Sequence, residues 1–295
     1  MSAPTTLSGS DRSTVAGPGG GGPWRGTSVP MQIIILTGRS LRAVVASRAL
    51  VLLGLLQPLI VLILFSQVFA SLAGTSSFPA GVSYIDYLMP AVLVMGSLSV
   101  ALQSGVGLLD DMRNGVVARF RTLPIASASV LVARSLADVV RHALQLAIML
   151  VLAATLFGFS PGGGFTGVLL AWLMCIAVGW SLSWMFMAIG VWITNVEVMQ
   201  GVTSMVMFPL MFASSAYVPL SSLPAWLRAV ATVNPLTYSV DASRNLALGN
   251  PVGVGGLAAL GAAGLIGLTG AIVATRGFRR SACGLLESAA AVVSV

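Results

Sequence analysis

Lysine is missing from this 295-residue chain. Histidine occurs once, as His142, and cysteine twice, as Cys175 and Cys283, and charged residues of every kind make up only 8% of it. Each shortage removes a class of mechanism. Without lysine there is no Walker A loop to hold nucleotide phosphates and no Schiff-base chemistry. One histidine and two cysteines far apart in sequence form no Cys/His cluster, so no metal site can be argued. Cys175 falls in an apolar run and Cys283 near the C-terminus, which puts them at different membrane levels and argues against a disulfide. The eight acidic residues are scattered, with none deep in an apolar run, which speaks against proton-coupled transport and against a membrane enzyme with a His/Asp/Glu centre.

What fills the chain instead is apolar. At 57% hydrophobic residues it falls in the integral membrane class. Six stretches are long enough to be read as spans of a ~30 Å hydrocarbon layer at ~1.5 Å per helical residue. They lie at about 49–71, 87–109, 141–159, 166–193, 201–218 and 252–275. Pro209 predicts a kink or break in the fifth. Residues 1–30, rich in Gly, Ser, Thr and Pro, read as a disordered cytoplasmic tail, and 281–295 as a second, short tail. Residues 31–48 mix apolar side chains with Arg39, Arg42 and Arg48. That pattern suits either an interfacial helix on the inner leaflet or the polar flank of the first span. The net charge of +7 comes from arginines between apolar runs and is no nucleic-acid signature. Thirteen of the fifteen arginines fall within 12–48, 113–141 and 276–280, leaving only Arg228 and Arg244 on the other side. The bias predicts both termini in the cytoplasm of a multi-pass protein of the cell (inner) membrane.

Two polar segments interrupt the spans. In 110–124, Met112, Val116, Phe120 and Leu123 recur on one helical face and Pro124 ends the helix. Such a helix is either a solvated loop whose arginines enforce topology or a coupling element that docks on a cytosolic protein. Just beyond it, Arg134, Asp138 and Arg141, with His142, form a charged stripe at the expected mouth of the third span, read as a local ion-pair ladder. Glu197 is expected in a short inner loop, 194–200. The second segment, 217–244, carries Pro219, Pro224 and Pro235, each of which removes a backbone donor, so no single helix can run through it. A short helix over 225–233 bearing Trp226, an Asn234-Pro235 turn and another short helix through Tyr238 and Arg244 remain. Trp226 reads as an interface anchor, and Asp241 with Arg244, at i and i+3, as a pair.

These residues carry a resemblance. The run Tyr87-Leu88-Met89-Pro90-Ala91, followed by Asp111, Arg113, Gly115, Arg121 and Pro124, looks like the second span and following loop of the ABC-2 exporter permeases, with Asp111 where the family usually has Glu. Pro219, Leu223, Pro224, Trp226 and Leu227, then Asn234 to Tyr238, then Asp241, Ala242 and Arg244, resemble the family's outer segment, most closely in its daunorubicin-resistance type. The resemblance covers about 31–280. It implies an all-α polytopic membrane protein of six transmembrane helices with an N-terminal interfacial helix. It implies an exporter permease for a hydrophobic or amphipathic compound, working as a homodimer or with a sister permease among membrane lipids. No nucleic acid is expected. The chain would hold no cofactor; ATP would be bound by a separate cytosolic ABC ATPase. Asp111, Arg113, Gly115, Arg119, Arg121 and Pro124 would form the ATPase-coupling loop, and Pro219, Pro224, Trp226, Asn234, Pro235, Tyr238, Asp241 and Arg244 the outer gate segment. A lipid-modifying membrane enzyme and a non-transporting scaffold are the rival readings. Met174, Trp180, Trp184, Met185 and Met187 read either as a compliant binding surface or as ordinary span packing.

Overall fold

A computed structural model describes residues 31, 38, 48–68, 81–113, 127–193, 195–217 and 219–293. Eight α-helices and one 3₁₀ turn are present among these residues, and no strand. The helices are α1 (Arg48–Val68), α2 (Tyr84–Arg113), α3 (Ser127–Phe157), α4 (Gly164–Trp192), α5 (Val196–Phe212), α6 (Ala225–Val233), α7 (Pro235–Leu248) and α8 (Val254–Val293), with the turn at Leu220–Ser222. Among the described residues, four segments are long and apolar enough to cross a membrane: α2, Leu131–Phe157 of α3, α4, and Val254–Gly277 of α8. Gly54–Val68 of α1 and all of α5 are shorter apolar helices. The interfacial helix expected over 31–48 lies outside the described residues, apart from Met31, Gly38 and Arg48.

The bundle is organised around α2. Nearly every turn of it is buried, from Tyr84 to Leu109, as expected of a helix that is apolar all round. α4 packs along it and along α8, and α7 is wedged among α2, α4 and α8. Lipid-like surroundings offer no hydrophobic gain for helix pairing, so close approach depends on small residues. Gly105 of α2 meets Gly190 of α4 at such a crossing. A Cβ at Gly105 would lie 2.6 Å from the Phe186 carbonyl oxygen, and one at Gly190 2.8 Å from that of Gly105. By contrast α5 is peripheral: Met199 is its one buried residue.

Several elements differ from the sequence reading. α3 starts at Ser127, well before 141, so Arg134, Asp138 and Arg141 sit on the body of a continuous helix. Arg134 pairs across to α2 and Arg141 along the helix with Asp138. His142 leaves the charged stripe: it is buried, with Nε2 2.9 Å from the Ser97 hydroxyl, between α2 and α4. Glu197 lies in the first turn of α5, where Asn195 caps the helix by accepting the Glu197 N–H at 3.0 Å. A carboxylate there also suits the helix dipole. The helix contains Pro209 and ends at Phe212, so 213–217 is irregular backbone where the fifth span was expected to continue.

Candidate functional site

The two ends of the bundle are distinct. α2 is 30 residues long, so Tyr84 and Asp111 lie ~40 Å apart at ~1.5 Å per residue.

At the Tyr84 end the irregular stretch 213–217 is buried throughout. Backbone carbonyls there have no water to bond and no helix of their own, so side chains must satisfy them. Arg244 of α7 is the centre of that arrangement. Only 7% exposed, it donates from Nη2 to the Ser215 carbonyl at 2.9 Å and from Nε to the Tyr87 carbonyl at 3.1 Å. Its Nη1 pairs with Asp241 Oδ1 at 3.0 Å, and its guanidinium lies 3.6 Å over the Tyr87 ring. The planar, delocalised fork can do all of this at once, which an ammonium cannot. Burial lowers the Arg244 pKa from its ordinary value, and Tyr87 and Asp241 push back. A guanidinium starts so high that it stays charged.

Neighbouring side chains complete the clamp. Asp241 also accepts from the Ser215 hydroxyl at 2.6 Å. Tyr84 and Tyr87 donate from their hydroxyls to the Tyr217 and Ser215 carbonyls. Phe65 of α1 stacks on Tyr217 with ring centroids 4.4 Å apart. Asn234 donates from its amide nitrogen to the carbonyls of Leu210 and Ala213, 2.7 and 2.6 Å away, closing the end of α5. Its Oδ1 accepts the Leu236 N–H and caps α7, and Pro235 occupies the first turn, where no donor is needed. Gly249, at φ 77°, terminates α7 in the left-handed conformation that glycine adopts without strain. Pro219 and Pro224 precede the 3₁₀ turn and α6. Trp226 is 70% exposed, as an interface anchor would be, and the Tyr238 hydroxyl donates to the Thr232 carbonyl at 2.7 Å.

The pairing of Asp241 with Arg244 is therefore as the spacing predicted, but it is the smaller part of what Arg244 does. Tyr84, Ser215 and the stacked Phe65 carry no local signal in the sequence. Their roles arise only when α1, α2 and α7 meet.

At the opposite end Asp111 of α2 forms an ion pair with Arg134 of α3. Arg141 pairs with Asp138 at 3.2 Å, and the Ser104 hydroxyl donates to the same carboxylate at 2.7 Å. Arg113 is exposed in the last turn of α2. Of the six residues expected in the coupling loop, Gly115, Arg119, Arg121 and Pro124 lie outside the described residues. Met174, Trp184 and Met187 are buried packing. Trp180 is more exposed and donates from Nε1 to the Ser135 hydroxyl at 2.5 Å. No group of three or more His, Cys, Asp or Glu side chains that could hold a metal occurs among the described residues.

An all-helical, multi-pass membrane bundle whose interhelical backbone is pinned from within is thus the class the geometry defines. The family model for the ABC-2 type transporter matches residues 31–248, and the chain belongs to that family. It is 35% identical to the "Daunorubicin resistance ABC transporter permease protein DrrB1" of Streptomyces coeruleorubidus, over 65% of this chain and 66% of that protein. The match therefore spans just under two thirds of that relative's length. It is 26% identical to the "Probable doxorubicin resistance ABC transporter permease protein DrrC" of Mycobacterium tuberculosis, over 75% of this chain and 78% of that protein.

Proposed function

We propose that this chain is the membrane permease subunit of an ATP-driven exporter and moves a hydrophobic or amphipathic compound out of the cell. The observation that carries the reading is the clamp on 213–217 in a member of this family. Non-helical backbone at membrane depth is tolerated where it is buried or lines a path. Here it is held by Arg244, Tyr84, Tyr87 and Asn234 through bonds that a helix shift could exchange. The names of two relatives, which speak of daunorubicin and doxorubicin resistance, support a drug-like cargo.

The energy comes from a cytosolic ABC ATPase, which binds the ATP; this chain performs no bond chemistry. A second permease, identical or a sister subunit, completes the pathway in the inner membrane with both termini cytoplasmic. ATP-driven closure of the ATPases pulls on the loop 110–124, and the clamped segment releases at the outer face. Asp111, Arg113, Gly115, Arg119, Arg121 and Pro124 are the coupling residues in this reading, and the residues from Pro219 to Arg244 form the gate.

The test is daunorubicin efflux from cells that co-express the chain with an ABC ATPase, alongside ATPase co-purification. Arg121→Glu reverses a charge on the docking surface and should abolish both pull-down and efflux while the protein still inserts. Turnover of ATP by the pure isolated chain would overturn the reading, since no lysine is available for a P-loop. A Ser13→Cys variant labelled by an impermeant thiol reagent outside intact cells would overturn the orientation.

A further inference from the structure

The chain's one histidine is enclosed where three helices meet. His142 of α3 and Ser97 of α2 are both buried, with the imidazole Nε2 2.9 Å from the Ser97 hydroxyl. α4 closes the third side: a Cβ on Gly179 would lie 2.9 Å from that Nε2 and 3.1 Å from the Ser97 Cβ. Ser97 stands near the middle of α2, so the contact sits ~20 Å from Tyr84 of the clamp and ~20 Å from Asp111 at the arginine-rich end.

The protons available at this contact fix which way its bonds run. The Ser97 hydroxyl has one hydrogen, and it lies 2.9 Å from the Leu93 carbonyl of its own helix and 3.0 Å from the Cys175 carbonyl of α4. Carbonyls only accept. A bare Nε2 would put a third acceptor around that one proton. The ring proton would then sit on Nδ1, which is buried and has no partner among the described residues. Buried N–H groups without an acceptor are rare in folded proteins, and acceptors without a donor less so. An imidazolium would have the same orphaned N–H and a charge in the apolar layer as well. A proton on Nε2 alone avoids both. Nε2–H donates to Ser97, Ser97 donates onward to a carbonyl, and Nδ1 keeps only a lone pair.

Its place in the bundle gives this bond a role. α2 ends at Arg113 and α3 begins at Ser127, so the coupling loop 110–124 hangs between their ends. Two other contacts tie these helices, Asp111 to Arg134 and Ser104 to Asp138, and each includes a partly exposed carboxylate. Ser97 to His142 is the innermost of the three and is buried on both sides. A partly exposed ion pair is loose in geometry, whereas a dry, directional hydrogen bond fixes a distance and an angle.

We infer that His142 is a positioning residue for transport: as the neutral Nε2–H tautomer it holds α3 in register on α2, and so sets the spacing of the helix ends that carry the coupling loop. The inference rests on the exporter reading. Two measurements test it. In the first, the full chain is labelled with ¹⁵N-histidine, purified through a histidine-free tag and placed in lipid nanodiscs, so that nuclear magnetic resonance sees the ring nitrogens of one residue. Nε2 should be protonated and Nδ1 bare. A proton on Nδ1, alone or together with one on Nε2, overturns the inference. In the second, daunorubicin transport per ATP hydrolysed is measured in proteoliposomes holding the chain with its co-expressed ABC ATPase. His142→Leu fills the space without a donor, and the amide of His142→Asn reaches only as far as Nδ1. Both should lower that ratio about tenfold, the scale of one buried hydrogen bond, with ATPase co-purification retained. His142→Gln, whose amide nitrogen reaches the Nε2 position, should recover most of the loss, and Ser97→Ala should abolish that recovery. Equal ratios for the leucine and glutamine variants overturn the positioning role, because packing alone would then account for residue 142. No transport by the unsubstituted chain overturns the exporter reading and the role in transport with it, while the ring-nitrogen measurement, which needs neither ATPase nor cargo, decides the tautomer separately.

Discussion

The two ends of this bundle both hold arginine–aspartate pairs at helical or cross-helix spacing, yet they are built to different purposes. At the clamp the guanidinium of Arg244 is buried and bonds mainly to backbone carbonyls of another segment. At the arginine-rich end Arg134 and Asp111 keep 24% and 41% of their side-chain surface exposed and bond side chain to side chain. The first arrangement fixes the path of a chain that has no secondary structure. The second ties together two helices that are already formed. A buried charge with many partners is hard to remove and specific in geometry, whereas a partly exposed pair is weaker, screened and more replaceable. The same two residue types therefore predict different consequences at the two ends.

The largest effect should come from Arg244→Met. It removes the charge while leaving the carbonyls of Ser215 and Tyr87 without the guanidinium donor. Asp241 keeps 40% of its side-chain surface exposed and the Ser215 hydroxyl as a donor, so the cost comes from the buried carbonyls left without a donor, about 1–3 kcal/mol each. We expect a large fall in the thermal midpoint of the purified protein and loss of amide protection in 213–217 by hydrogen exchange. Arg244→Lys keeps the charge but loses the fork, so it should recover less than half of the loss. Equal stability of Arg244→Lys and the unsubstituted chain would mean that charge alone, and not the planar geometry, holds the segment.

Next in size is Asn234→Ala. Its amide both caps α7 and closes the end of α5, so a loss of about 1–2 kcal/mol is expected. Asn234→Asp separates the two roles: it keeps the cap acceptor but removes the donor to Leu210 and Ala213. If the aspartate variant is as stable as the parent, the link to α5 contributes nothing, and the clamp belongs to Arg244 and the tyrosines alone.

The two ends also differ in how much of them could be read from the sequence. Helices α6 and α7 follow from proline and Asn-Pro punctuation, and the Asp241–Arg244 pair from i, i+3 spacing, because these are local constraints. That Arg244 is buried under Tyr87 is not local. It depends on α7 folding back into the bundle against α2, and an arginine in a polar segment carries no mark of where that segment goes. The same holds for His142. Its spacing from Asp138 suggests the charged stripe, but its side chain turns instead to Ser97, on a face defined only by the packing of α2 and α4. The early start of α3 is not legible in a hydropathy profile, which drops at Arg134, Asp138 and Arg141; the α2 partners of those side chains, Asp111 and Ser104, are distant in sequence.

The smallest stability effect is expected at the arginine-rich end, and it is the most informative about function. Asp111→Asn breaks the pair with Arg134 but leaves the helices and their apolar contacts intact. Partly exposed ion pairs contribute about 0–1 kcal/mol, and less at high salt. A double-mutant cycle with Arg134→Gln, run by thermal unfolding at two ionic strengths, should therefore give a small coupling that shrinks as salt rises. If Asp111 serves only this pair, efflux in the presence of the ATPase should fall no more than stability does. If it also acts as a member of the coupling loop 110–124 toward the ATPase, efflux and ATPase co-purification should drop severalfold in Asp111→Asn while the melting midpoint barely moves. Arg134→Gln should reproduce that drop, because the carboxylate then loses its anchor on α3. A cycle whose coupling exceeds that of an exposed pair and is insensitive to salt would break the contrast between the two ends. It would mean that Asp111 and Arg134, like Arg244, are held in a dry interior.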